Sequence, residues 1–315
     1  MDLAFRNTFI ERWRRYFGAA DLPITFYYTD ESGRAPAAPI PRDHHECVLT
    51  PLARVRHGEA LQFDVTTVGC DGGRRYFGFT QQIRPEFEYF LSCGIPGKLE
   101  GERYKQSPDL VREFIQRAPC FQAPGRYIVF KRWDDLAAAD VPEVVIFFAR
   151  PDVLSGLFTL ANFDQVTAHG VVTPFAAGCG SIVQYPYLER DAENPRAFVG
   201  MFDVSARPYV PSDTLSFAVP MRKFVGMVAN IEESFLITPS WEKVRQRLRS
   251  TAPVRPWRRA ALTDPGDPGI QGVLDFRKRS GEDPYRHAEF QREAFRRTVF
   301  PESLLRGLIQ ELLDP

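Results

Sequence analysis

The stretch "EVVIFFARPDVLSGLFTLANF" (Glu143–Phe163) decides how the chain is read. Val144 to Ala149 form an unbroken apolar run, the length of a buried strand and far short of the ~20 residues that a membrane span needs. Pro151 suits the first turn of a helix, and the apolar residues after it recur at helical spacing. The same arrangement returns in "TLSFAVPMRKFVGMVANIEES" (Thr214–Ser234), where Pro220 separates strand from helix. Two apolar strands, each followed by a proline and a helix of similar length, hint at a duplicated β–α unit. With "ITFYYTD" (Ile24–Asp30) and "RYIVFKRW" (Arg126–Trp133) as further strands, the pattern predicts an α+β fold: a mixed sheet with helices packed on it.

Outward from these elements, Leu3 to Phe17 reads as a first helix, because its apolar residues repeat at helical spacing. "CVLTPLARVRHG" (Cys47–Gly58) suggests a short helix broken near Pro51. "ALQFDVTTV" (Ala60–Val68) alternates as a strand does. "GVVTPFAAGCGSIV" (Gly170–Val183) and "AFVGMFDVS" (Ala197–Ser205) are strand-like, and "PEFEYFLSCG" (Pro85–Gly94) suits a short helix or rim segment. "SWEKVRQRLRS" (Ser240–Ser250) is a helix that Ser240 would cap. A main domain is therefore expected over residues 1–250, followed by a linker rich in proline, arginine and glycine over 251–269. Residues 270–315 are expected to form a helical tail with Leu304, Leu305, Leu308 and Leu312 in an apolar stripe. Such a tail needs a surface to cover, here or on a second copy in a homo-oligomer.

Among the 315 residues, 44% are apolar and 25% charged, a globular composition. Lysine plus arginine and aspartate plus glutamate both count 40. That balance argues against broad electrostatic attraction to nucleic acid or to an anionic membrane. The first residues, "MDLAFRNTFIERWRRYF", are amphipathic and charged, without the apolar core and cleavage site of a signal peptide, so a cytoplasmic protein is expected. The 5 cysteines are an odd, dispersed set, unlike a disulfide framework. In a reducing compartment they are buried fillers, nucleophiles or metal ligands.

Two cysteines have glycine neighbours at expected strand ends: Cys70 in "VGCDGGRRYFGF" (Val68–Phe79) and Cys179 in "AAGCGSI" (Ala176–Ile182). Glycine permits positive φ and lets backbone amides approach a bulky anion beside the sulfur. The competing account is a pair of tight turns whose thiols fill core space. Cys47 follows "DHHE", where His44 and His45 read as a solvated pair. Cys93 is a further candidate ligand through its glycine neighbour, and Cys120 lies in a loop without pattern. A phosphate cradle at Gly69–Arg75 fits no known glycine-loop spacing. A cysteine nucleophile would need a base that neither His57 nor His169 visibly supplies.

On these segments the chain resembles the family catalogued as domain of unknown function 169, over roughly Asp21 to Arg249. The resemblance rests on Cys47, on "GCDGGRRYFGF", on "GCGSIVQYPYLE", and on the closing "DVSARPYVPSDTLSFAVPMRKF". Many members show a further cysteine near that last turn, where this chain has "VSAR". The resemblance implies no activity, but it selects Cys47, Cys70 and Cys179 from among the thiols. Three thiolates from separate segments suggest a 4Fe–4S cluster with one iron open to substrate. The expected function is then a cytoplasmic lyase or sulfur-transfer enzyme acting on an acidic small molecule held by Arg74, Arg75 or Arg207. Two alternatives stand beside it: a non-catalytic small-molecule-binding or regulatory module, whose C-terminal helices dock a partner, and a cysteine-nucleophile enzyme.

Overall fold

A computed structural model describes residues 1–40 and 46–249. Seven strands of these residues form one mixed sheet: β1 (Ile24–Thr29), β2 (Leu61–Phe63), β3 (Tyr127–Arg132), β4 (Val144–Ala149), β5 (Val171–Val172), β6 (Ala197–Gly200) and β7 (Leu215–Pro220), in the order β2-β3-β1-β4-β7-β6-β5. Every pairing is antiparallel except that of β5 with β6. The two strands that opened the reading, β4 and β7, lie side by side at the centre, paired from Val144–Pro220 to Ala149–Leu215. Both are buried along nearly their whole length, which explains continuous apolar runs in place of alternation.

Alternate residues of these strands feed two cores. On one face Val145, Phe147, Phe217 and Val219 pack against α1 (Leu3–Phe17), α6 (Pro151–Ala161), α8 (Met221–Asn230) and α9 (Pro239–Arg249). The α+β expectation is therefore met as a helix–sheet–helix sandwich, with both β–α units laying their helices on this first face. Trp13, Trp133, Phe9 and Phe224 meet there, with the Phe9 and Trp133 rings 5.2 Å apart. Asp2 caps α1 by accepting from the amides of Ala4 and Phe5, and Gly18 ends it at φ +65°, ψ −124°, a conformation open to glycine alone.

On the other face Ile24, Phe26, Ile128, Phe130, Val144, Ile146 and Ala218 pack against α2 (Leu49–Arg56), α3 (Asp71–Tyr76) and a helical segment that ends in α7 (Tyr185–Glu189). Two further helices, α4 (Phe87–Phe90) and α5 (Pro108–Arg117), lie in the long excursion between β2 and β3.

Several boundaries differ from the sequence expectation. Pro51 does not break α2; it sits in the first turn, where its missing N–H has no intrahelical partner to lose. The strand expected over 60–68 ends at Phe63, because Asp64 accepts from the amides of Thr66 and Thr67 and closes a turn. Helix α9 starts at Pro239, so Ser240 lies inside it and does not cap it. The expected linker and helical tail, and His44 and His45, lie outside the described residues.

Candidate functional site

Each of the three cysteines selected from the sequence stands at the start of a helix on the second face. Cys47 lies two residues before α2. Cys70 is the N-cap of α3: its sulfur accepts from the Gly73 amide at 3.2 Å. The Glu46 amide bonds to the Gly69 carbonyl at 3.3 Å, so the approaches to Cys47 and Cys70 run against one another. Cys179 is buried and opens a wide π-helical turn, Gly180–Gln184, that continues into α7. Such turns re-aim side chains and are frequent at functional sites.

"VGCDGGRRYFGF" and "AAGCGSI" were expected as strand-end turns. Both instead begin helices, and the glycines have a different use from the one expected. None of Gly72, Gly73, Gly178 and Gly180 has positive φ. A Cβ on Gly180 would lie 3.1 Å from the Tyr76 ring of α3, and one on Gly178 would lie 3.0 Å from Ala206 and 3.1 Å from the Met201 sulfur. A Cβ on Gly73 would meet Val68 at 2.7 Å and the Cys70 sulfur at 3.0 Å. These glycines let protein segments close on one another around the sulfurs; they do not hold open room for a ligand. Gly72 faces only Tyr76, at 3.8 Å. Gly73→Ala is therefore expected to destabilise by about 1 kcal/mol through overpacking, while Gly72→Ala is neutral or slightly stabilising in a helix. Urea denaturation of the two variants checks the contrast.

Cys47 and Cys179 each respond to the charge of a neighbouring thiol. Burial pushes the Cys47 thiol up to about 11, with the charge of Cys70 adding to the shift. Burial likewise raises Cys179 well above the ordinary thiol value, and the charges of Cys70 and Cys47 raise it further. Cys70 is raised by burial against the opposing hydrogen bond from Gly73. A fourth charge enters from the turn after β6. Asp203 raises both Cys47 and Cys179, and also Tyr76, whose burial and proximity to Cys179 push its phenol upward. Sequence reasoning passed over Asp203. The available signal was Asp-x-Ser directly after a strand, a pattern in which the carboxylate bonds backbone two residues on.

The remaining candidates are placed as follows. Arg74 donates to the carbonyls of Val65 and Val68, both at 3.1 Å, and to Asp71. Arg207 donates to the carbonyls of Met201, Pro211, Ser212 and Thr214 and so ties the 201–214 loop together. Arg75 donates to the Gln81 carbonyl, and its charge lowers the Tyr76 phenol. Cys93 and Cys120 are exposed.

Among the described residues no group of three or more His, Cys, Asp or Glu side chains is arranged to hold a metal ion. One small ion needs its donors nearly in contact, about 2.0–2.3 Å from the metal. Thiolates around a four-iron cluster stand apart by roughly 6–7 Å, because the iron–sulfur cube lies between them. Among the described residues no helix is long and apolar enough to cross a membrane.

The segments that carry the three cysteines all fall within residues 15–230, which match the family model of domain of unknown function 169, described as uncharacterised ArCR. The chain belongs to the DUF169 family. No curated protein and no solved structure matches it. In this DUF169 chain the match takes in all seven strands of the described residues and ends with the last residue of α8, so the sheet and the three cysteines belong to the shared unit while α9 follows it.

Proposed function

We propose that this DUF169 protein is an enzyme that carries a 4Fe–4S cluster on Cys47, Cys70 and Cys179 and acts on an acidic small molecule, in a lyase or sulfur-transfer reaction. One observation carries the reading: three thiols separated widely in sequence stand at helix starts on one face of the sheet, close enough that the charge of Cys70 acts on Cys47 and the charges of both act on Cys179. The Gly73 amide already donates to the Cys70 sulfur, and hydrogen bonds of this kind tune iron–sulfur centres. Three protein thiolates leave one iron for a substrate oxygen or sulfur, which the metal polarises as a Lewis acid. Of the expected three arginines, Arg74 is the one whose charge reaches a sulfur, that of Cys70; Arg75 donates to the Gln81 carbonyl, and Arg207 fastens the 201–214 loop.

A cysteine nucleophile is less well supported. Such a residue needs a lowered pKa or an adjacent base, whereas burial raises all three thiols here. Bound iron removes that difficulty, because a coordinating thiol is deprotonated by the metal.

The test is anaerobic purification, or reconstitution of the full chain with ferrous iron and sulfide. The expected result is a brown protein with about four irons per chain, lost in Cys47→Ser, Cys70→Ser and Cys179→Ser and retained in Cys93→Ser and Cys120→Ser. A folded wild-type protein that takes up neither iron nor sulfide would overturn the reading. Equal loss in the variants of the two exposed cysteines would do the same.

A further inference from the structure

We propose that Tyr76 receives the acidic substrate, its phenolic hydroxyl donating a hydrogen bond to a carboxylate oxygen of that molecule beside the cysteine segments. The inference rests on the substrate class proposed above and names the side chain that meets it.

Packing sets Tyr76 between the two glycine-flanked cysteine segments. It is the last residue of α3, the helix that Cys70 caps. One edge of its ring faces Gly72 of the same helix, where a Cβ would lie 3.8 Å from Cε2 and 3.9 Å from Cδ2. The opposite edge faces Gly180, the residue after Cys179, where a Cβ would lie 3.1 Å from Cδ1 and 3.2 Å from Cε1. The ring therefore fills a slot with a glycine on each side, one from each segment. The Ala176 Cβ closes the same place, 3.3 Å from the Cβ position of Gly180. Side chains on a helix lean back over the turn before them, and Tyr76 does so, since it lies against the residue four positions earlier. The hydroxyl, at the far end of the ring, is thus carried toward the end of α3 at which Cys70 stands.

A phenol withdrawn from water ordinarily finds a partner for its O–H. Tyr27 donates to Asp140 and Tyr28 to the Phe77 carbonyl. The half-buried Tyr76 hydroxyl meets no hydrogen-bond acceptor among the described residues. The arginines expected to hold the substrate are engaged elsewhere: Arg74 with the carbonyls of Val65 and Val68, Arg75 with that of Gln81, and Arg207 with those of its own loop. Tyr76 is the donor whose acceptor the protein does not supply. A phenol, with an ordinary pKa of about 10, is protonated at neutral pH and donates without bringing a charge. Its bond to a carboxylate is of the stronger, charge-assisted kind.

The experiment uses the full chain, reconstituted anaerobically with ferrous iron and sulfide, as wild type and as Tyr76→Phe. Phe keeps the ring between Gly72 and Gly180 and removes the hydroxyl alone. Binding of succinate, malate and aspartate is measured by calorimetry, with iron content and urea midpoint determined on the same samples. Wild type is expected to bind at least one of the acids. In Tyr76→Phe the Kd should rise about 10-fold or more, the loss of one hydrogen bond to a charged group, at unchanged iron content and urea midpoint. A Phe variant that binds the acid as wild type does overturns the assignment of Tyr76 and leaves the cluster standing. A loss that tracks a lowered midpoint or lowered iron also overturns it, because the ring then acts through packing. Wild type that carries iron and sulfide but binds none of the acids overturns Tyr76 and the acidic substrate together. Wild type without iron or sulfide overturns the cluster alone, and the acid titrations of that protein decide Tyr76.

Discussion

Asp140→Ala is expected to destabilise the protein by about 3–5 kcal/mol, the range for removing one partner of a buried charge pair. Asp140 is 1% exposed and serves four donors. Its Oδ1 accepts from the Tyr27 hydroxyl at 2.7 Å and from Arg34 at 3.3 Å, while Oδ2 accepts from the Ala137 amide at 2.7 Å and Lys131 at 3.0 Å. Truncation leaves Lys131, whose side chain is 11% exposed, without its counter-charge between β3 and the loop before β4. Burial alone would raise the Asp140 carboxyl, but the bonds from Tyr27, Ala137 and Lys131 outweigh it and hold the group below the usual carboxylate value. The same carboxylate, after burial, helps to push the Tyr27 phenol up to about 12, so Tyr27 remains a donor. A carboxyl with a lowered folded-state pKa contributes stability above its unfolded value, ~3.9, and loses that contribution as pH falls through the folded value. Urea midpoints between pH 7 and pH 2 should therefore fall steeply at the acid end in wild type and less steeply in the variant. A change below about 1 kcal/mol, with an unaltered acid limb, would remove this cluster from the account of stability.

The second large effect falls on the site. Gly200→Ala in β6 would place a Cβ 2.0 Å from the Ser181 hydroxyl oxygen, 2.3 Å from the Ser181 Cβ and 2.9 Å from the Ser216 hydroxyl oxygen. Neither strand nor helix can absorb such a contact by a rotamer change alone, so a cost of about 3 kcal/mol is expected, the upper end of the usual range for overpacking. Ser181 belongs to the π-helical turn and donates to the Gly178 carbonyl at 2.7 Å. Its displacement would move Cys179 away from Cys47 and Cys70, and iron uptake on reconstitution should fall with stability. Ser181→Gly relieves the contact while costing about 1 kcal/mol of its own in a helix. The double variant should therefore be more stable than Gly200→Ala alone and recover part of its iron. If Gly200→Ala matches wild type in both measurements, the close packing of β6 on the Cys179 turn does not govern the site.

These effects mark where the sequence was legible. Strands β1, β3, β4 and β7 and helices α1, α6 and α8 follow from periodicity, because each has one continuous face or run committed to a core. Helix α3 was harder to see. Asp71 in its first turn and Arg74 and Arg75 in its last are favourable helix signals, but Gly72 and Gly73 oppose them. Tertiary contacts decide in favour of the helix: the Tyr28 hydroxyl holds the Phe77 carbonyl at 2.8 Å, and Phe77 packs 5.6 Å from Phe130. The segment around Cys179 was misread for a related reason. Its apolar residues suit a strand, yet Ile182 and Val183 are fully buried in a helical turn against the sheet face.

The sequence by itself determined a central pair of apolar strands with their helices and marked Cys70 and Cys179 by their glycine neighbours, because local periodicity and residue chemistry are written in adjacent letters; the family resemblance added Cys47. Only the tertiary structure decided that these three cysteines stand at helix starts on one face and that their glycines serve close packing. The meeting of Cys179 and Gly180 with Cys47, Cys70 and Tyr76 depends on segments more than a hundred residues apart in the chain, brought together by burial of two sheet faces whose strand order no local pattern encodes.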